Sequence, residues 1–390
     1  MPPKFKNIPR PKAVKKKPAS SLTIQFKEAL ALHQQGKLAE AKNIYLKILA
    51  IQPDYFDPLH LLGVIARQNG DAAKAVELIS KAIQINPNSP FSYNNLGNAY
   101  KDQGKLDQAF SSYDKALALK WDYPEAHYSR ADILKKLNKL KEAIAGYDEA
   151  IAYKPDYPDA IVDRGNAFME LKQIDAALRD YKKAAELGFG FMLGVWLFFR
   201  MSTCDWSDAN SQISALVDQV NAGKNVCTAF ASLGFIDSLA VQRKTADVWV
   251  KTKRPANYSL GPINQYPHHQ KIRIAYYSMD FRNHPVAFLT AELFELHDRS
   301  RFEIIAFSFG KPSDDPMRQR LKVAFDQFIE VEDKTDLEIA QLSRSMEVDI
   351  AIDLAGHTKD SRAGIFACRA APIQVNYLGY PGTMSAEYID

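Results

Sequence analysis

In the first half of the chain apolar residues recur at the three-and-four spacing of amphipathic helices, and the whole pattern repeats every 34 residues. Gly36, Gly70, Gly104, Asn138 and Lys172 mark turns between successive helical stretches. Seven residues before the later four turns stand Gly63, Gly97, Ala131 and Gly165, and five residues after all five stand Ala41, Ala75, Ala109, Ala143 and Ala177. Tyr45, Ile79, Tyr113, Tyr147 and Tyr181 follow in register, and Pro53, Pro87 and Pro155 close three units, with Trp121 in the corresponding place of another. Two antiparallel helices approach closely only where small residues meet. A large side chain then fills the groove toward the next pair, and proline ends the second helix because it has no N–H to donate. No single pair buries its apolar face, so the pairs must stack.

After residue 188 the period is lost, although spacing through 208–220 and 226–249 stays helical. Gly188–Gly194 (GFGFMLG) has glycines reminiscent of a dinucleotide-binding loop but lacks the preceding strand and the third spacing. Proline, glycine and asparagine cluster at 252–269 and mark a boundary. Beyond it, strands at 271–278, 302–309, 328–331, 348–354 and 373–380 alternate with helices at 285–297, 316–325, 336–345 and 361–369. Such alternation predicts a parallel sheet with helices on both sides, whose ligands bind beyond the carboxyl ends of the strands. The unusual residues fall at those ends: 279–285 (MDFRNHP), 355–362 (AGHTKDSR) and 378–390 (LGYPGTMSAEYID).

The five periodic units, at 21–52, 55–86, 89–120, 123–154 and 157–188, resemble tetratricopeptide repeats. A repeat array of that kind implies a groove that binds extended protein segments. Two residues before the small crossing residue come Leu61, Asn95, Ser129 and Asp163, of which only Asn95 matches the asparagine that the best-known relatives repeat along the groove. Asn95, Ser129 and Asp163, with Arg130 and Arg164, are the candidate groove contacts; each reads equally well as part of a solvated face.

Charge changes the picture only at the N-terminus. Of fifty basic residues seven lie in residues 1–17, which hold no acidic one, and the remainder carries 43 basic against 46 acidic groups. The folded body is therefore not a nucleic-acid surface by charge, and the tail (1–20) is expected to be a solvated arm or a contact for acidic surfaces. The longest apolar run, 189–199, is shorter than the roughly 20 residues that span a bilayer and is expected to be a buried helix. Cys204, Cys227 and Cys368 form no CxxC pair, so no disulfide framework or zinc knuckle is suggested. These features predict a cytoplasmic protein.

The array followed by DFRNHP (280–285), DLAGHTKDSR (353–362) and APIQVNYLGYPGT (371–383) resembles the protein O-GlcNAc transferases, in particular their bacterial and Spindly-like relatives. The resemblance implies tetratricopeptide repeats at 21–188, a helical connector at 189–268 and, at 269–390, part of the first Rossmann-like lobe of a GT-B glycosyltransferase. It implies transfer of GlcNAc or a related sugar from a UDP-sugar or other sugar nucleotide to serine or threonine, with inversion, without metal or other cofactor, and with acceptor proteins held along the repeats. Homodimers are compatible with it. The segment after Asp390 and the whole second lobe, which in the family holds most of the donor, have no counterpart here, so the 390 residues alone are expected to be inactive. The other reading is a non-catalytic interaction scaffold.

His284 matches the family's proposed catalytic histidine, and an imidazole there could take a proton from a hydroxyl or bond a departing phosphate. His357 and Thr358, with the glycine–proline loop of Gly379, Tyr380, Pro381, Gly382 and Thr383, are the candidate donor and acceptor contacts; a plain tight turn would have the same composition. Asp280, Arg282 and Asp353 either orient these loops or form structural ion pairs, His297 is expected to be structural, and His268 and His269 are read as linker.

Overall fold

A computed structural model describes residues 21–264, 266–267 and 269–390; the basic tail and His268 lie outside the described residues. The chain divides into two compact units, the first ending at Ala177 and the second running Leu178–Asp390.

In the first unit α1 (Ser21–Gln34) pairs with α2 (Leu38–Ile51), α3 (Phe56–Gln68) with α4 (Ala72–Ile85), α5 (Pro90–Asp102) with α6 (Leu106–Leu119), and α7 (Pro124–Lys136) with α8 (Leu140–Tyr153). Helices α9 (Pro158–Glu170) and α10 (Ile174–Glu186) follow, and the division between the units falls within α10. Proline at the start of α5, α7 and α9 and the Asp71 side chain, 2.9 Å from the Lys74 N–H, set these starts locally. All five periodic turn residues are left-handed, with φ between 59° and 83°, and two of them, Asn138 and Lys172, are not glycine. At each turn the next N–H reaches back to a carbonyl of the last helical turn, as in Lys37 to Leu32 at 2.9 Å and Gln173 to Phe168 at 2.8 Å.

At two of the crossings the glycine leaves the space that a partner side chain fills. A Cβ on Gly63 would lie 2.5 Å from Ile79 Cγ1, and one on Gly97 2.5 Å from Tyr113 Cε1. Tyr45, Ile79, Tyr113 and Tyr147 are accordingly fully buried. Polar contacts join neighbouring repeats: His60 Nε2 is 2.9 Å from Asn95 Nδ2, Arg67 Nε donates to Asp102 at 2.6 Å, and Tyr128 Oη to Asp163 at 2.9 Å.

After the end of α10 the second unit continues with α11 (Met192–Ser202), α12 (Ala209–Asn221), α13 (Ala229–Ser232) and α14 (Leu239–Lys253). The 188–194 segment is a turn running from α10 into α11, with no strand before it. Then come β1 (Ile272–Ser278), α15 (Pro285–Leu296), β2 (Phe302–Ser308), α16 (Pro316–Ala324), β3 (Gln327–Glu330), α17 (Asp336–Ser345), β4 (Ile350–Asp353), α18 (Gly364–Ala367) and β5 (Ile373–Asn376). The strands form a parallel sheet in the order β3-β2-β1-β4-β5. The period of two divides its residues between two cores: Ile274, Tyr276, Ile304 and Ala306 pack with Phe294 and Leu321, while Ala275, Tyr277, Ile305 and Phe307 pack with Ile339 and Phe366. The expected doubly covered parallel sheet is present.

Three elements are shorter than their sequence suggests, and one of them, β4, keeps only Ile350–Asp353 of the expected 348–354. The expected helix at 361–369 is a single turn, flanked by Asp360 at φ 60° and Arg369 at φ 56°, both outside helical space. Strand β5 stops at Asn376 and the chain turns at Leu378, φ 64°. Among the described residues no helix is long and apolar enough to cross a membrane.

Candidate functional site

Strand β1 sits between β2 and β4, so the strand order reverses there, with β2 and β3 on one side and β4 and β5 on the other, and a crevice opens beyond the carboxyl ends of β1 and β4. Two loops meet there. The 279–284 loop ends at His284, the residue preceding α15, whose Nδ1 accepts from the Val286 N–H at 3.3 Å while lying 3.5 Å from Asp280 Oδ2. Nδ1 is thus occupied by the protein, and Nε2 is the nitrogen left for a ligand. Asp280 is buried, its backbone N–H donates to Ser278 Oγ at 2.9 Å, and its carboxylate accepts from Arg282 at 3.3 Å. Behind this loop lies a fully buried guanidinium: Arg318 donates to the Phe281 carbonyl at 3.1 Å, to Ser308 Oγ at 3.3 Å and to Glu330. This strut had no recognisable sequence signal, since arginine on a helix face normally reads as solvated.

The second loop, after β4, is shaped by Asp353, whose carboxylate accepts the N–H groups of Ala355 at 2.8 Å and Gly356 at 3.1 Å. Burial pushes the Asp353 carboxyl up, against these hydrogen bonds and that of the Asn376 amide. Asp353 therefore shapes a loop rather than pairing with a cation. Gly356 is left-handed and has the Tyr380 ring packed where a side chain would be. His357 is nearly buried; its Nε2 donates to the Met384 carbonyl at 2.9 Å, and burial pulls its pKa down, keeping the ring neutral. Thr358 donates its hydroxyl to the Ala355 carbonyl at 2.8 Å.

The glycine–proline loop is divided by the structure. Gly379 approaches the Leu354 carbonyl so closely that a Cβ would overlap the oxygen. Tyr380 is buried edge-on to His357 at 5.3 Å, and burial pushes its hydroxyl up to about 12. Pro381 is exposed. Gly382 and Thr383 face a different concavity, with Arg243 and Asp247, and Thr383 Oγ1 accepts from the Ser385 N–H at 3.2 Å.

His284, His357, Thr358 and Gly379 thus line one cleft of about 720 Å³, together with Asp280 and Lys359. Its other wall comes from the helical connector: Phe191, Phe198, Phe199, Phe230 and Trp249. The sequence placed 189–199 in a buried helix, and Trp196 and Leu197 are indeed buried, but the neighbouring rings face this cleft. The aromatic run was visible; its position opposite His284 depends on the fold.

Elsewhere, His297 bonds Tyr276 Oη at 2.8 Å within the core. His269 is more than linker: Nε2 lies 2.8 Å from Glu347 and Nδ1 3.5 Å from Asp349, fastening the segment before β1. Among the groove candidates, Asn95 meets His60, Asp163 accepts from Tyr128 and from Lys135 at 2.5 Å, Ser129 is buried, and Arg130 and Arg164 reach Asp114 and Asp148 at 2.6 Å. Asn95, Asp163, Arg130 and Arg164 all contact neighbouring helices of the array. Among the described residues no cluster of three or more His, Cys, Asp or Glu side chains is arranged to hold a metal ion.

Residues 244–390 match glycosyl transferase family 41, and tetratricopeptide-repeat families match 26–90, 78–110, 97–138 and 131–171. A probable UDP-N-acetylglucosamine–peptide N-acetylglucosaminyltransferase (SEC) of Arabidopsis thaliana is 36% identical over 129 residues, 33% of this chain and 13% of that protein. The UDP-N-acetylglucosamine–peptide N-acetylglucosaminyltransferase of Caenorhabditis elegans is 36% identical over 126 residues, 31% of this chain and 11% of that protein. A solved mutant O-GlcNAc transferase of Thermobaculum terrenum aligns with 95% of this chain and 52% of its own, at 21% identity and a TM-score of 0.37. The chain therefore spans only a small part of the length of these curated relatives. Its helical array thus matches tetratricopeptide repeats, its residues 244–390 match glycosyl transferase family 41, and over about a third of its length it is similar to protein O-GlcNAc transferases.

Proposed function

We propose that this chain forms the acceptor side of a protein O-glycosyltransferase, which moves GlcNAc or a related sugar from a UDP-sugar to serine or threonine while the repeats bind the acceptor protein. The observation that carries this reading is the meeting of His284, Thr358 and Gly379 in one cleft at the switch point of a family 41 sheet. No metal or other cofactor is assigned a part in it.

The chemistry follows from the two demands on His284 Nδ1. While Nδ1 accepts the Val286 N–H, a neutral ring carries its proton on Nε2 and donates to an oxygen in the cleft. Once Nδ1 is protonated, that proton points to Asp280 and Nε2 offers a lone pair. In the second state the acceptor hydroxyl gives its proton to Nε2 as its oxygen attacks the anomeric carbon. The bond from that carbon to the UDP phosphate breaks and UDP leaves with the electron pair, inverting the centre. Asp280 stabilises the imidazolium. Lys359 lines the same cleft, and in this reading its ammonium group meets the developing phosphate charge.

The test is incorporation of labelled sugar into acceptor protein. His284→Ala is expected to lower it about 10²–10⁴-fold, the range of a general acid–base group, while melting shifts little. Incorporation unchanged by that substitution would remove His284 from the chemistry, and no incorporation by any form containing these residues would favour the scaffold reading.

A further inference from the structure

The two walls of the cleft differ in chemistry in a way that sugar transfer alone does not require. One carries the imidazole, hydroxyl and ammonium groups of His284, Thr358 and Lys359; the other is formed by Phe191, Phe198, Phe199, Phe230 and Trp249. A nucleotide diphosphate is heavily hydrated, and placing it against this wall would strip water from charged oxygens without replacing it. The wall is also preformed. Phe198 packs against Phe199 at 5.5 Å and Phe230 at 6.1 Å, with Gly234 close beneath the Phe198 ring, and Phe191 meets Trp249 edge-on at 4.9 Å. Rings held this way keep an apolar recess open, as ligand sites generally do.

On the reading of the site given above, we propose that the aromatic wall is a subsite for a large apolar side chain next to the acceptor hydroxyl. His284 and the wall line the same cleft of about 720 Å³, so an extended peptide can present serine or threonine to Nε2 and a neighbouring phenylalanine or leucine to the rings. The cleft then selects acceptors by an apolar neighbour over a charged one, which would lose water against the five rings.

Binding tests this independently of transfer. The chain would be titrated with two fluorescent acetylated peptides, each with one serine and differing only in phenylalanine or alanine beside it. The phenylalanine peptide is expected to bind at least tenfold more tightly. Phe230→Ala, at a ring that is 41% exposed, should reduce the preference severalfold, and Phe198→Ala should reduce it further, with unchanged far-ultraviolet circular dichroism as the check on fold. Equal affinity of the folded wild-type chain for both peptides overturns the subsite, and so does a preference that both variants retain. Loss of sugar transfer without loss of the preference would instead count against the proposed function alone.

Discussion

The repeats and the sheet unit both use glycine where backbones or side chains come close, but with different consequences. In the repeats, Gly97 faces the ring of Tyr113, a side chain that can yield. In the sheet unit, Gly379 faces the carbonyl oxygen of Leu354, which is backbone in a packed strand end and cannot. A repeated architecture spreads each requirement over several equivalent positions, whereas the cleft depends on single residues.

Substituting alanine at both places sharpens that contrast. Gly379→Ala is expected to cost about 3 kcal/mol or more and to disturb the cleft, while Gly97→Ala should cost about 1–3 kcal/mol because the Tyr113 ring can shift. Urea denaturation followed by circular dichroism measures both, and equal costs would erase the distinction.

Acid tests the repeats differently. Burial lowers the His60 pKa from 6.5 to about 4. As pH falls below about 6.5 the unfolded chain takes up a proton that the folded one refuses until about pH 4. Stability is therefore full above pH 6.5 and is lost progressively toward pH 4, by at most about 3 kcal/mol. His60→Gln, which can still meet Asn95, should flatten this part of the profile, read as the difference between the two proteins' denaturation midpoints at pH 7, 5.5 and 4.5. A parallel pair of profiles would mean that His60 is not the group responsible. The smallest expected effect is at a turn: Lys172→Gly should stabilise by about 1 kcal/mol or less by removing left-handed strain at φ 59°, visible as a small rise in melting temperature. A lower melting temperature would mean that flexibility gained by the unfolded chain outweighs the strain.

The same contrast explains what could be read in advance. The turn residues, the crossing glycines and the buried Tyr/Ile series each recur, so every repeat restates the rule and Asn138 or Lys172 can be identified by position although neither is glycine. The strands and the two histidine loops were also legible, because the period of two and the polar residues at strand ends are local signals. What was not legible depends on contacts distant in sequence. The Gly379–Thr383 loop turns Thr383 away from the cleft, Arg318 supports the His284 loop from beneath, and the Phe198 and Trp249 rings come from helices whose pattern reported only burial. His357 stands between these cases: its place at the cleft was foreseeable, but its bond to the Met384 carbonyl was not.

The contacts from one repeat to the next also carry a mechanical consequence. His60 to Asn95, Arg67 to Asp102 and Tyr128 to Asp163 each span a single repeat step, as do the packed tyrosines between them. Among the described residues these ties run between adjacent repeats, and an array joined in that way can yield one repeat at a time. Pulled from one end, it would yield as a series of modest force steps and rewind from whatever remains, behaving as an elastic tether whose extension rises by one repeat at a time.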